Sequence, residues 1–266
     1  MKDTTQTMTE KAIYTHIRQQ IFSNLNVHAG IRYEINSVFG DEWIPYTGFA
    51  FNAKENITFK GSISKGFRSP TLMELYYFVP NINLKPERMI NYELSYIQTF
   101  MYKKLETEFT IFYLEGSNMI QVIAPPPRRM NIGTFYHGGV EFSGKYLVSN
   151  HLSLGGNYSF LNTDKPVMAA PKHMANFNIF YNMKQIQLML TTQYVSDLVT
   201  EAGKFTTDKQ PDLISYTLLN LRATYKIYKQ IEIYGGIDNL LNEKYYINYG
   251  YEMPGLTMYA GARARF

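Results

Sequence analysis

Along most of the chain apolar and polar residues alternate with a period of two, the pattern of a strand with two chemically different faces. From Ile57, one parity reads Ile57, Phe59, Gly61, Ile63 and the other Thr58, Lys60, Ser62, Ser64. Val27, Ala29, Ile31 and Tyr33 alternate with His28, Gly30, Arg32 and Glu34. The same holds for Leu152, Leu154, Tyr158 and Phe160, for Ile186, Leu188 and Leu190, and for Leu219, Leu221 and Ala223. No stretch of comparable length has helical periodicity. The pattern predicts thirteen strands, near 11–22, 25–36, 43–53, 56–67, 88–101, 104–115, 132–147, 151–161, 174–182, 185–196, 214–228, 230–239 and 256–266.

The intervals between them form two alternating classes. Short ones sit at Ser23-Asn24, Lys54-Glu55, Tyr102-Lys103, Ser149-Asn150, Met183-Lys184 and Lys229; long ones lie near 37–42, 68–87, 116–131, 162–173, 197–213 and 240–255. In an antiparallel meander this alternation puts every long loop at one end. Strands of about ten residues with one-sided long loops are the signature of an antiparallel transmembrane β-barrel. A soluble sandwich or an extended meander explains the alternation but not the one-sided loops. Ile57, Phe59, Ile63, Leu152, Leu154, Tyr158, Leu188, Leu190, Leu219 and Leu221 are expected to face lipid, with Leu154 near mid-membrane.

Composition agrees with an all-β chain: 23 Tyr and 17 Phe stand against one Trp among 266 residues. Mean hydropathy is −0.26, so no segment is a transmembrane-helix candidate. The absence of Cys removes disulfides and thiolate metal sites. A net charge of +4 gives no footing for a nucleic-acid partner. The opening "MKDTTQTMTEKAIYTH" lacks the apolar core of a signal peptide. Residues 1–10 are expected to form a disordered lead and 11–266 the wall. Single-chain bacterial barrels normally have even strand numbers, so thirteen suggests part of a larger wall.

Four blocks, in order, carry a family resemblance. Phe67-Arg68-Ser69-Pro70 runs into Leu84-Lys85-Pro86-Glu87 and Asn91-Tyr92-Glu93-Leu94. Asn131-Ile132-Gly133 precedes Gly139-Val140-Glu141-Phe142. Asn239-Leu240-Leu241-Asn242, with Tyr245, precedes Pro254-Gly255 and the terminal Phe266. The chain resembles the TonB-dependent outer-membrane receptors, specifically the C-terminal part of their 22-stranded barrel, with the TonB box, plug and first strands not represented. The resemblance implies outer-membrane lipid around the wall, TonB acting through a plug, and uptake of a large scarce nutrient. A ferric siderophore or another metal chelate, or cobalamin, fits better than haem, because Thr71–Pro80 contains no His and offers Tyr76 and Tyr77. A smaller complete porin-like channel and an extracellular β-rich binding module are the alternatives.

Candidate ligand contacts on the loops are Arg68, Glu74, Tyr76, Tyr77, Arg128, Arg129, Tyr136, Tyr249 and Tyr251, with "APPPRRM" as a stiff exposed tip. A solvated polar loop explains the arginines equally simply, and some tyrosines must belong to an interfacial belt. No cofactor or resident metal is expected: the His residues are at least twelve positions apart and give no short-spaced ligand pair. Ser62-Ile63-Ser64-Lys65 matches S-x-x-K, but that chemistry needs one helical face, and on a strand the two residues point apart. The chain is therefore read as a transporter part, not an enzyme.

Overall fold

The computed structural model describes residues 5–123, 126–200 and 213–265. Thirteen strands form one antiparallel sheet in which each pairs with its neighbours in the wall. In order these are β1 (Glu10–Phe22), β2 (Leu25–Asn36), β3 (Gly40–Lys54), β4 (Ile57–Arg68), β5 (Glu87–Phe100) and β6 (Leu105–Ser117). After a separate hairpin, β7 (Ile120–Ile123) and β8 (Arg128–Asn131), the wall resumes with β9 (Thr134–Leu147), β10 (Leu152–Thr163), β11 (His173–Met183) and β12 (Ile186–Val199). It finishes with β13 (Leu213–Lys226), β14 (Ile231–Asp238) and β15 (Thr257–Ala264). All thirteen predicted strands are present, with described ends displaced by at most three residues. Phe266 lies outside the described residues.

Register extends the alternation across the whole sheet. Val27, Phe49, Gly61, Leu94, Ile111, Val140 and Phe160 are successive partners on one face. One level away, Gln20, Asn26, Ala50, Lys60, Ser95, Thr110, Glu141 and Ser159 form a row on the other. The ten residues expected to face lipid share the first face, and Ser62 and Lys65 fall on opposite faces. Leu154 is misjudged in depth: it is the third residue of β10 and sits near the short-turn end. Leu94, midway along β5, occupies the middle of the wall.

Toward the long-loop end the apolar face carries rings. Tyr33 packs on Trp43 at 4.4 Å, Tyr92 on Tyr113 at 6.3 Å, and Tyr113 stacks on Tyr136 at 6.5 Å. Amphipathic rings at this level mark the interfacial belt of a membrane barrel.

One predicted long loop is not long. Asn36 Oδ1 accepts from the Val38 and Phe39 N–H groups at 2.8 and 3.1 Å, closing a side-chain turn. Gly40 then takes φ +82, where a Cβ would be strained, and β3 begins at once. Asp41 and Glu42, whose polarity suggested a loop, are strand residues with partners: Tyr33 Oη donates to Asp41 at 3.1 Å, and Glu42 pairs with Lys65 and Arg88.

Burial concentrates at the long-loop end. Pro70, Leu75, Leu84 and Phe135 are each buried there, and Val195, Leu198, Tyr216 and Leu218 form a cluster with Tyr245 packed against it. The wall between leaves its large apolar side chains exposed, as a surface solvated by lipid requires. β1 and β15 are the sheet's two edges and do not pair with each other.

Candidate functional site

The excursion between β4 and β5 is not a featureless loop. Thr71 caps a five-residue helix, α1 (Leu72–Tyr76). The Glu74 N–H donates to Thr71 Oγ1 at 3.2 Å, and the Thr71 N–H donates back to Glu74 Oε2 at 2.8 Å, a reciprocal capping box. Sequence periodicity could not reveal so short a helix. Its signal was local: Thr71 followed three positions later by Glu74.

Arg68, the last residue of β4, clamps this loop. Its Nε and Nη2 donate to Glu87 at 2.8 Å each, a bidentate pair across the β4–β5 register, and its Nη1 donates to Glu74 at 3.0 Å. Glu87 Oε1 also accepts from the Ile120 N–H at 2.7 Å, so the same carboxylate anchors the next loop. Burial pushes the Glu74 carboxyl up. The Thr71 N–H and the Arg68 guanidinium outweigh it and hold the pKa below its ordinary value. Arg68 and Glu74, expected as ligand contacts, are bonded to each other, Arg68 also to Glu87 and Glu74 also to Thr71.

A side chain joins the two loops a second time. Asn131 Oδ1 accepts from the Lys85 N–H at 2.8 Å, while its Nδ2 donates to the Lys85 carbonyl at 2.8 Å and the Asn118 carbonyl at 2.6 Å. The amide takes the place of a neighbouring strand's backbone. Asn118 Nδ2 reaches the Pro86 carbonyl, and Asn81 Nδ2 the Arg129 carbonyl at 2.8 Å. Gly133, at φ +78, supplies the reversal that returns the hairpin to β9. The motif residues of both loops therefore hold one platform: Pro70 and Leu84 are buried, and Phe67 lies under the Arg88 guanidinium at 5.9 Å.

The last long loop follows the same logic. Asn239, buried and at φ +51, receives the Glu243 N–H on Oδ1 at 2.9 Å and donates through Nδ2 to the Glu243 and Pro254 carbonyls. Asn242 Oδ1 accepts from the Leu256 N–H at 3.0 Å, and a Cβ on Gly255 would lie 2.7 Å from that oxygen. Tyr245 packs on Tyr216 with ring centroids 4.5 Å apart. Leu240 hydrogen-bonds through its N–H to the Leu219 carbonyl and keeps a partly exposed side chain.

What the platform exposes is aromatic and cationic. Tyr76, Tyr77 and Phe78 stand out of the first loop, Arg128 from β8, and Tyr249 and Tyr251 from the last loop. Phe78 and Val79 take φ +44 and +64, a strained pair that turns the chain at the tip. Arg129 is half-buried and not at an exposed tip. Ala124 and Pro125 of "APPPRRM" lie outside the described residues. Tyr136 is on the wall's apolar face in the ring row with Tyr92 and Tyr113, and so belongs to the belt and not to the loop surface.

The chain matches the family "TonB dependent receptor-like, beta-barrel" over residues 2–240. It belongs to that family. Its place is therefore the outer membrane, and the family is one of receptors and transporters. The vitamin B12 transporter BtuB of Photobacterium profundum is 25 % identical over 260 residues, covering 92 % of this chain and 41 % of the relative. An iron-regulated outer membrane virulence protein of Vibrio cholerae is 24 % identical over 277 residues, covering 89 % and 41 %. Among solved structures, a variant of the ferric enterobactin receptor PfeA from Pseudomonas aeruginosa superposes with TM-score 0.82 at 18 % identity, over 97 % of this chain and 45 % of that one. The siderophore receptor PirA of the same species gives 0.75 at 20 %, over 97 % and 46 %. The chain spans about two fifths of the length of the curated relatives it matches.

Proposed function

We propose that this wall and its loops form the ligand-facing part of a TonB-dependent transporter for a ferric siderophore or cobalamin. The observation that carries the reading is the platform. Two long loops are bound to each other through Glu87 and Asn131, and they present Tyr76, Tyr77 and Arg128 on one side of the sheet. A loop that only joined two strands would not need a shared carboxylate and a backbone-mimicking amide. Large ligands are recognised by prearranged aromatic and cationic surfaces, which lose little conformational entropy on binding. Coupling to TonB runs through a plug in this reading, so the wall supplies recognition and enclosure, not force.

Deleting the gene should abolish TonB-dependent growth on a ferric siderophore or on cobalamin as sole source. Complementation with the full reading frame carrying Tyr76→Ala and Arg128→Ala should restore assembly but weaken uptake. Unchanged growth on every such source in the deletion strain would remove the proposal.

A further inference from the structure

The long loops beyond the platform are also joined to it. The loop between β10 and β11 starts by extending the edge of β9. The Asp164 N–H donates to the Tyr136 carbonyl at 3.1 Å, and Asp164 Oδ1 accepts from the Tyr136 N–H at 2.8 Å. Lys165 then reaches the hairpin. Its Nζ donates to the Ile132 carbonyl at 2.9 Å and to the Thr134 carbonyl. These carbonyls flank Gly133, whose φ of +78 makes the bend from β8 into β9. The same bend holds the hairpin's root: the Asn118 N–H donates to the Gly133 carbonyl at 2.7 Å, and the Ile132 N–H to the Met119 carbonyl at 2.9 Å. An ammonium has three donors and no acceptor, so it can clasp two carbonyls at once, and its charge strengthens both bonds.

The other end of this loop binds the opposite half of the rim. The Ala169 N–H donates to the Val199 carbonyl at 3.0 Å, and the Tyr249 N–H donates to the next carbonyl, that of Thr200, at 3.1 Å. Val199 ends β12 and Thr200 follows it, both buried. The two attachments therefore lie within five residues, Lys165 to Ala169, and Pro166 fixes one of the backbone dihedrals between them. A second contact to the hairpin, from Gln121 Nε2 to the Pro166 carbonyl, is 3.5 Å long and weak.

We propose that Lys165 is a positioning residue for ligand capture. It locks the half of the rim that carries Tyr76, Tyr77 and Arg128 to the half that carries Tyr249 and Tyr251, so a ligand meets one prearranged surface. Without it each half keeps its own bonds, through Glu87 and Asn131 on one side and Asn239 on the other. The halves are then free to shift against each other. Binding has to select the fraction of chains in which they are aligned, and apparent affinity falls by that fraction. The lock rests on the bonds alone; its use in capture rests on the transporter reading, and the two are measured separately.

Hydrogen exchange on the full chain, without ligand, tests the lock. Asn131→Ala loosens the first half. With Lys165 in place, the loosening should spread to the Ala169 and Tyr249 amides and raise their exchange about threefold or more. In Lys165→Met/Asn131→Ala it should stop at the hairpin, leaving both amides at the rate of Lys165→Met alone. Lys165→Gln, shorter and uncharged, should interrupt the spread as well, whereas Gln121→Ala should not. Ala169 and Tyr249 amides that ignore Asn131→Ala in the Lys165 chain overturn the lock, as does a spread that persists in both Lys165 variants. Capture is tested with cyanocobalamin and a ferric tris-catecholate as probes. Lys165→Met should raise the dissociation constant of whichever probe binds by about tenfold, the effect of halves aligned about a tenth of the time. A probe bound equally well by both chains overturns the role in capture and leaves the transporter reading standing. Binding of neither probe to the unmutated chain removes that reading and the role in capture together, while exchange still decides the lock.

Discussion

Arg68 and Glu87, directly opposite each other across β4 and β5, form a two-bond pair at 2.8 Å, and the same Glu87 carboxylate receives the Ile120 N–H at 2.7 Å. Two loops separated by a pair of wall strands are thereby tied to one side chain. Glu87→Gln keeps the shape but removes the charge that Arg68 meets, and it should loosen both loops together. The expected loss is about 1–3 kcal/mol of local stability, at the lower end because Arg68 is partly solvated. Hydrogen exchange at residues 69–86 and 118–133 should rise in step while β10–β12 stay unchanged. Loosening confined to one loop would refute the shared anchor.

Asn131 offers a sharper comparison, since its amide is used as donor and acceptor at once. Asn131→Asp retains an acceptor for the Lys85 N–H but faces two carbonyls with oxygen. It should cost at least as much as Asn131→Ala, about 1–3 kcal/mol of loop stability. Exchange rates at Lys85 and Asn118 measure this.

The helix α1 should respond to acid. The Glu74 pKa is lowered in the folded loop. Its stabilisation is therefore present above the ordinary carboxylate pKa and is lost as pH falls through the lowered folded value. Protection of residues 71–77 should decline on acidification through and below the usual carboxylate range, and Glu74→Gln should flatten that dependence. A decline seen equally in the variant would assign it to another group.

The two faces of the wall should differ in their tolerance of charge. Leu94→Arg, midway along β5 on the apolar face, should cost about 2–4 kcal/mol in a bilayer, and Ser95→Arg far less. Equal costs in denaturant titrations of the reconstituted chain would mean that the apolar face does not meet lipid.

The edges make a topological claim. β1 and β15 both run from the long-loop end to the short-turn end, so joining them directly would create a parallel pair in an otherwise antiparallel sheet. Tyr14→Cys with Tyr259→Cys should not form an intramolecular disulfide, and since the chain has no native Cys the readout is clean. Outward-pointing amides of β1 should exchange much faster than those of β5. Efficient cross-linking would show a closed thirteen-strand wall.

Strand positions, face assignment and the one-sided loops were legible from residue order because they rest on local properties. Side-chain parity has a period of two, and a ten-residue alternation repeats that signal many times. The motif residues Pro70, Leu84, Asn239 and Gly255 were visible as well, but not the part they take in holding the loops. That part depends on partners far away in the chain: Arg68 with Glu87, Asn131 with Lys85, Tyr245 with Tyr216. Nothing in the order of residues tells a free loop arginine from one already bound to two carboxylates, because the register and the loop path decide which groups meet. The same reason separates Tyr136 from Tyr76. Both are tyrosines next to long loops, but β9 turns one toward the membrane face and α1 carries the other above the rim. Glu42 looked like a loop residue until folding brought Lys65 and Arg88 to it, and a buried carboxylate is stable only where such partners arrive.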